Sequence, residues 1–195
     1  MLCHVWWARP GLVHLGLLSR AERSRLPGHH NPAQYVMGVA LLRLLAGALL
    51  DVPPAGVRIE RSCPDCDRPH GKPVIPGGPH VSVSHAGEWV VAVAAPAPVG
   101  VDVEVTADDG WSPGMDRHVF SPDEQGSPSA HRFFRYWTRK EAVIKATGRP
   151  VPMTTLSLSG LDGWVVADLL AEAGYAAAVA VRTPESVQFA VSQVA

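Results

Sequence analysis

The alternation of polar and apolar residues changes period several times along the chain, and each change marks an element. Between Val99 and Val105 the valines Val101, Val103 and Val105 alternate with Asp102 and Glu104. A period of two predicts a half-buried strand. Both carboxylates leave one face of that strand, roughly 7 Å apart at their Cα atoms. Farther on, Trp137, Glu141 and Lys145 recur at intervals of four, a single stripe of a helix. That helix is predicted from about Ser129 to Thr147, with Gly148 and Pro150 stopping it. From Tyr35 to Leu50 apolar residues occupy most of the circumference, which predicts a helix buried in a core. Arg43 interrupts this run, and it is too short to span a bilayer, so no membrane segment is expected.

The other elements repeat an order. His4 to Ala8 reads as a strand, and Ser19 to Glu22 as a capping box ahead of the first long helix. Strands are predicted at Val57–Arg61, Val81–Ser84 and Trp89–Ala95. In the second half the acidic strand comes first. A capping box at Ser121 to Glu124, with Pro122 inside it, and the second long helix follow. Strands are then predicted at Leu156–Leu158, Trp164–Leu169, Tyr175–Val181 and Val187–Val194. The expected fold is α+β: a pseudo-dimer of two similar α/β halves, each a small, mostly antiparallel sheet packed with a long helix. The halves divide as residues 1–98 and 99–195, with the ligand site in the cleft between them. Coincidence of common elements is the competing explanation.

Composition narrows the classes. The formal net charge of −1 over 195 residues gives no bulk attraction to nucleic acid. The N-terminus lacks the basic start and unbroken apolar run of a signal peptide. With three cysteines, a reducing cytoplasm is the expected setting.

The acidic strand carries the first candidate chemistry. Two carboxylates side by side repel unless a cation lies between them. A third from the helix, Glu141, with Lys145 one turn on, makes a site for magnesium and a phosphorylated ligand. The bland alternatives are a solvated strand face for Asp102 and Glu104, and an ordinary i, i+4 surface pair for Glu141 and Lys145. Trp137 reads as core. His85, within Ser82 to Gly87, has hydroxyl neighbours and a turn glycine suited to phosphate oxygens; it reads equally as a histidine capping a strand. The capping box explains Glu124 without catalysis. Cys63-Pro64-Asp65-Cys66, followed by His70, looks like half of a zinc knuckle. A closed zinc site wants four ligands, and only Cys3, His70 or His80 is at hand to complete one. A tight turn carrying two thiols is the expected reading.

Taken together, Gly71-Lys72-Pro73, Val81 to Gly87, Gly100-Val101-Asp102-Val103-Glu104, Phe120-Ser121 to Glu124, and Trp137-Thr138-Arg139-Lys140-Glu141 to Lys145 occur in one order. The set resembles the 4′-phosphopantetheinyl transferases of the Sfp type, whose paired α/β halves match the repeat. The resemblance implies Mg2+-dependent transfer of the phosphopantetheine arm of coenzyme A to a serine hydroxyl of an acyl or peptidyl carrier protein, releasing adenosine 3′,5′-bisphosphate. It implies Asp102, Glu104 and Glu141 as metal ligands. Glu141, or a water on the metal, would take the serine proton, and Lys145 would serve the leaving phosphate. It places Lys72, Ser84 and His85 near the nucleotide, and Lys140 near the phosphates. Because the two halves already form a cleft, a monomer is expected. The chain departs from the family where an arginine that binds the 3′-phosphate is usual, a place occupied here by Gln34. Arg20, Arg23 or Arg25 compensates, or coenzyme A binds more weakly. The link from Glu124 to Phe133 is short, with Gly126 and Pro128 in it, where the family helps dock its carrier. The alternatives are a non-catalytic coenzyme A or nucleotide-binding module of the same fold, and a Mg2+-dependent phosphohydrolase.

Overall fold

Trp89 to Ala95 contains no charged residue, and the strand it forms is buried along its whole length. A strand apolar on both faces has to be covered on both sides, and this requirement sets the layering. The structure is a computed structural model that describes residues 1–63, 66, 68, 70–106 and 110–194. Its elements in chain order are β1 (Leu2–Ala8), α1 (Arg20–Arg23), α2 (Pro32–Leu50), β2 (His80–Ala86), β3 (Trp89–Ala95), β4 (Val99–Val105), α3 (Ala130–Thr147), β5 (Trp164–Asp168), β6 (Tyr175–Arg182) and β7 (Gln188–Val194).

Strands β2-β3-β1-β7 form one sheet and β4-β6-β5 the other. Alternate residues of β3 serve different neighbours. Val90, Ala92 and Ala94 meet Met37, Leu41 and Leu45 of α2, while Val91, Val93 and Ala95 meet Val99, Val101 and Val179 of the second sheet. On the far side, Ala142 and Val143 of α3 cover Ala180 of β6. The layers are therefore helix, sheet, sheet, helix, an α+β arrangement with a long helix to each sheet.

Two runs of elements are connected alike. The runs β1-α2-β2-β3 and β4-α3-β5-β6 have one topology: in each the last strand lies between the other two and is antiparallel to both. The final strand breaks this pattern. β7 was expected with the second half, but it crosses back and pairs parallel with β1, from Leu2↔Gln188 to Ala8↔Val194. Periodicity shows that a segment is a strand but not which sheet edge receives it.

Two further expectations need correction, and a third holds in a short element. Val57–Arg61 is no strand and contributes only the bridge Glu60↔Val74. Leu156–Leu158 follows a 3-10 turn at Met153–Thr155 and joins no sheet. The Ser121–Glu124 capping box is present but closes a three-residue 3-10 turn, since Gly126 and Pro128 follow too soon for an α-helix. The Ser19–Glu22 box forms as read. Helix α2 starts earlier than expected, at Pro32 behind an Asn31 cap. Its 19 residues are long and apolar enough to cross a membrane by length and composition, and most of the helix is buried in this fold. Arg43, which interrupts its apolar run, is buried in an ion pair with Glu22 at 3.0 Å.

Gly100 sets the position of α3. A Cβ there would lie 1.9 Å from the carbonyl oxygen of Ala142, so the helix backbone rests directly on β4. That approach brings Glu141 and Lys145 over the stretch from Gly100 to Glu104.

Candidate active site

β2 and β4 are the outer strands of their sheets, and a side chain–backbone bond joins them: the Val101 amide donates to Ser82 Oγ at 3.3 Å. The acids lie along this seam. Asp102 is only 2% exposed. Its Oδ1 accepts from Ser84 Oγ at 2.9 Å and from Lys145 Nζ at 2.5 Å, and Lys145 also reaches Ser84 Oγ at 2.9 Å. Oδ2 of Asp102 is buried with no hydrogen-bond partner. Burial pushes this carboxyl up from its ordinary value, with Lys145 and Ser84 opposing.

Glu104 and Glu141 are half-buried beside it. Trp137 Nε1 donates to Glu104 Oε1 at 3.1 Å. Burial raises both carboxyls, and the negative charge of Asp102 raises each further. Mutual repulsion of this kind marks acids that share a small space. The oxygens are not yet gathered as in a coordination shell. Among the described residues, the trio whose donor atoms all lie within 4.8 Å of one another is Cys63, Cys66 and His70. The acids nonetheless suit a hard divalent ion: an orphaned buried oxygen on Asp102 and two further carboxylates within its field.

Lys72 bridges the halves. Its Nζ donates to Ala146 O at 2.6 Å and Val99 O at 3.2 Å, and burial pushes its pKa down to about 8. It lines a cavity of about 460 Å³ together with Ser82, Lys145 and Arg149. A second cavity, of about 280 Å³, is lined by Arg25, Gln34, Tyr35, Arg61 and His85. His70 borders both. His85 lies in the second cavity, where burial and the charge of Lys145 both disfavour its protonated form.

Gln34 does not take the place of the missing arginine. Its Nε2 donates to Gly87 O at 2.9 Å, tying the start of α2 to the β2–β3 turn. Positive charge in that cavity comes from Arg25, one of the three arginines considered, and from Arg61, which the sequence reading passed over. Arg61 lies in irregular chain, where no periodicity points to a ligand cavity.

Lys140 requires a correction. It was placed near the phosphates, but it is 0% exposed. Its Nζ donates to Val119 O at 2.7 Å and Met153 O at 3.0 Å and pairs with Glu124. Consecutive helical residues point about 100° apart, so with Glu141 on the seam Lys140 enters the interior. Glu124 keeps its capping role, accepting from the Ser121 amide at 3.0 Å, and it also accepts from the Leu158 amide at 2.7 Å. Trp137, expected as core, does pack against Phe133 at the edge of a buried cluster, and its indole N–H also holds Glu104. The shared stripe with Glu141 and Lys145 was the available signal. Of the zinc-knuckle residues, Pro64 and Asp65 lie outside the described residues.

A family model described as the 4′-phosphopantetheinyl transferase superfamily matches residues 98–189. A "4′-phosphopantetheinyl transferase" of Bacillus subtilis is 29% identical over 153 residues, 72% of this chain and 63% of that protein. A "phosphopantetheinyl transferase" of Thraustochytrium is 31% identical over 134 residues, 57% of this chain and 44% of that protein. The transferase HetI of Nostoc is 27% identical over 188 residues, 84% of this chain and 76% of that protein. The chain thus spans less than two thirds of the length of the first two of these relatives.

Proposed function

We propose that this chain, similar to the 4′-phosphopantetheinyl transferase superfamily over residues 98–189, is such a transferase and moves the phosphopantetheine arm of coenzyme A to a serine hydroxyl of an acyl or peptidyl carrier protein. The supporting observation is the meeting of Asp102, Glu104, Glu141 and Lys145 on the seam between the sheets, next to a cavity carrying Arg25 and Arg61.

The reaction attacks the phosphorus that bears the pantetheine arm and expels adenosine 3′,5′-bisphosphate. A magnesium ion held by Asp102, Glu104 and Glu141, when bound, would neutralise the diphosphate and ease departure of the nucleotide. Glu141, whose proton affinity is raised by burial and by Asp102, is suited to take the proton of the incoming serine. Lys145 brings a compact charge to the leaving phosphate, and Ser84 and Asp102 orient it. Arg25 and Arg61 supply the cationic surface for the 3′-phosphate that Gln34 does not. One chain furnishes both walls of the cleft, so a monomer suffices. A cytoplasmic setting keeps its thiols reduced.

The test is mass spectrometry of an apo carrier protein incubated with coenzyme A, magnesium and the enzyme. The expected result is a carrier heavier by one phosphopantetheine. Consumption of coenzyme A with an unchanged carrier would make the protein a phosphohydrolase. Binding without consumption would make it a binding module.

Lys72 gives the site a pH signature. Its ammonium titrates near pH 8, whereas the ligand's phosphates stay anionic above neutrality. Coenzyme A affinity should therefore fall as pH rises from 7 to 9, by up to about tenfold, or roughly 1.4 kcal/mol. Calorimetry across that range on wild type and Lys72→Met checks it. The variant should bind with a nearly flat profile, and a flat wild-type profile would remove Lys72 from the phosphate site.

A further inference from the structure

A second group of metal-type donors lies outside the acidic seam. The Glu60↔Val74 bridge, with both amide bonds at 2.9 Å, closes the base of a long loop. Within it the Cys63 amide donates to Arg68 O at 3.0 Å and the His70 amide donates to the same carbonyl at 2.9 Å. A Cβ at Gly71 would lie 2.1 Å from Ser62 O, so the returning strand of the loop rests directly on the outgoing one. Glycine at 71 thus permits the approach that sets His70 beside the two cysteines. One donor atom from each of Cys63, Cys66 and His70 lies within 4.8 Å of the others, and Cys66 Sγ is 3.0 Å from His70 Nε2.

We propose that Cys63, Cys66 and His70 bind a zinc ion, with a fourth position left to water. Two thiolates and an imidazole are the ligands zinc prefers. Bond lengths near 2.3 Å to sulfur and 2.0 Å to nitrogen separate tetrahedral donors by roughly 3.5 Å, a spacing these side chains reach with small rotations. The C-x2-C spacing offers two sulfurs from one turn, and His70 follows four residues after the second. Charge also favours it, since two thiolates neutralise the dication.

The surroundings separate this reading from a plain turn with two thiols. Of the described loop residues, Ser62, Cys66, Arg68 and His70 are exposed, and Cys63 and, at the base, Pro73 are buried. No large apolar side chain among them anchors the loop to either sheet. A metal cross-link supplies what a core does not, as in small domains that order on binding zinc. Its consequence is positional. His70 borders both cavities of the seam, and Gly71 and Lys72 follow it, so the ion would fix the approach to Lys72. Cys3, a ligand considered from the sequence, is buried between the sheets instead. The proposal stands on the loop alone and holds whatever the reaction at the seam.

The test uses the full chain without an affinity tag, expressed with zinc and purified without chelator. Elemental analysis should find about one zinc per chain. Cys63→Ser, Cys66→Ser and His70→Ala should each hold less than about a fifth of that. Titration of native thiols before and after a strong chelator should show two cysteines becoming reactive, with Cys3 remaining protected. Zinc below about a tenth of an equivalent in the wild-type protein overturns the proposal. So does a mass lower by two hydrogens, the mark of a Cys63–Cys66 disulfide, and so does zinc retained undiminished in all three variants. Should a variant fail to fold, the wild-type metal content and thiol titration still decide.

Discussion

Asp102→Asn should stop phosphopantetheine transfer, lowering kcat/KM by about three orders of magnitude or more, with the fold intact. Asparagine keeps the shape of the side chain and removes its charge. Ser84 still has an oxygen to bond, while Lys145, part-exposed, turns to water. The wild-type carboxylate is buried with Oδ2 unpartnered, so its conversion to an amide costs little stability. The melting temperature should move by less than about 5 °C. The stability and activity readouts therefore separate: a structural acid would lower both, and a metal ligand lowers only the second. Glu141→Gln extends the test: it removes a group proposed both as metal ligand and as proton acceptor, so kcat should fall more than coenzyme A binding weakens. Transfer within tenfold of wild type for Asp102→Asn would remove this residue from the reaction.

The seam was legible because its signal is local. A period of two in Val101 to Val105 and a period of four from Trp137 to Lys145 each assign residues to one face. Gly100 marks where those faces touch. Burial of Asp102 was less accessible, since alternation alone fits a solvated face equally well; coverage by α3 and by Ser84 of the other sheet decides it. The placement of β7 depends on which edge stays open after six strands have paired, a property of the whole fold. Arg61 was missed for a related reason: an arginine in irregular chain has no pattern to betray its neighbour. The two capping boxes show the same limit on a smaller scale. Ser19 and Ser121 both cap as read, but one is followed by residues that continue a helical turn and the other by Gly126 and Pro128.

Lys140 is the instructive misplacement, because the motif that names it also contains Glu141. The stripe Trp137-Glu141-Lys145 excludes position 140 from the seam by helical geometry, and family likeness had outweighed that geometry. Its actual environment leads to the second large effect. Lys140 is enclosed by Val119 O, Met153 O and the Glu124 carboxylate, so it joins α3 to the 3-10 turn at Pro122–Glu124 and to the segment that follows the helix.

Lys140→Met should destabilise the chain by about 3–5 kcal/mol, since it leaves the buried Glu124 carboxylate and two carbonyls without their cation. For a chain of this size that corresponds to a fall of roughly 10 °C or more in Tm. The double variant Lys140→Met, Glu124→Gln should lose less than the sum of its parts, because no uncompensated charge remains. The acid limb follows from Glu124. Burial alone would raise its carboxyl, but the Leu158 amide, Lys140 and the Ser121 amide together hold it below the ordinary value. A depressed folded value contributes stability that is complete above the unfolded pKa of about 4.3 and is lost as pH falls through the folded one. Wild type should accordingly lose stability below pH ~4 more steeply than the double variant. Calorimetric melting from pH 3 to 7 checks both claims. A Lys140→Met protein that melts like wild type but transfers poorly would return this lysine to the phosphates, against the burial that now places it in the interior.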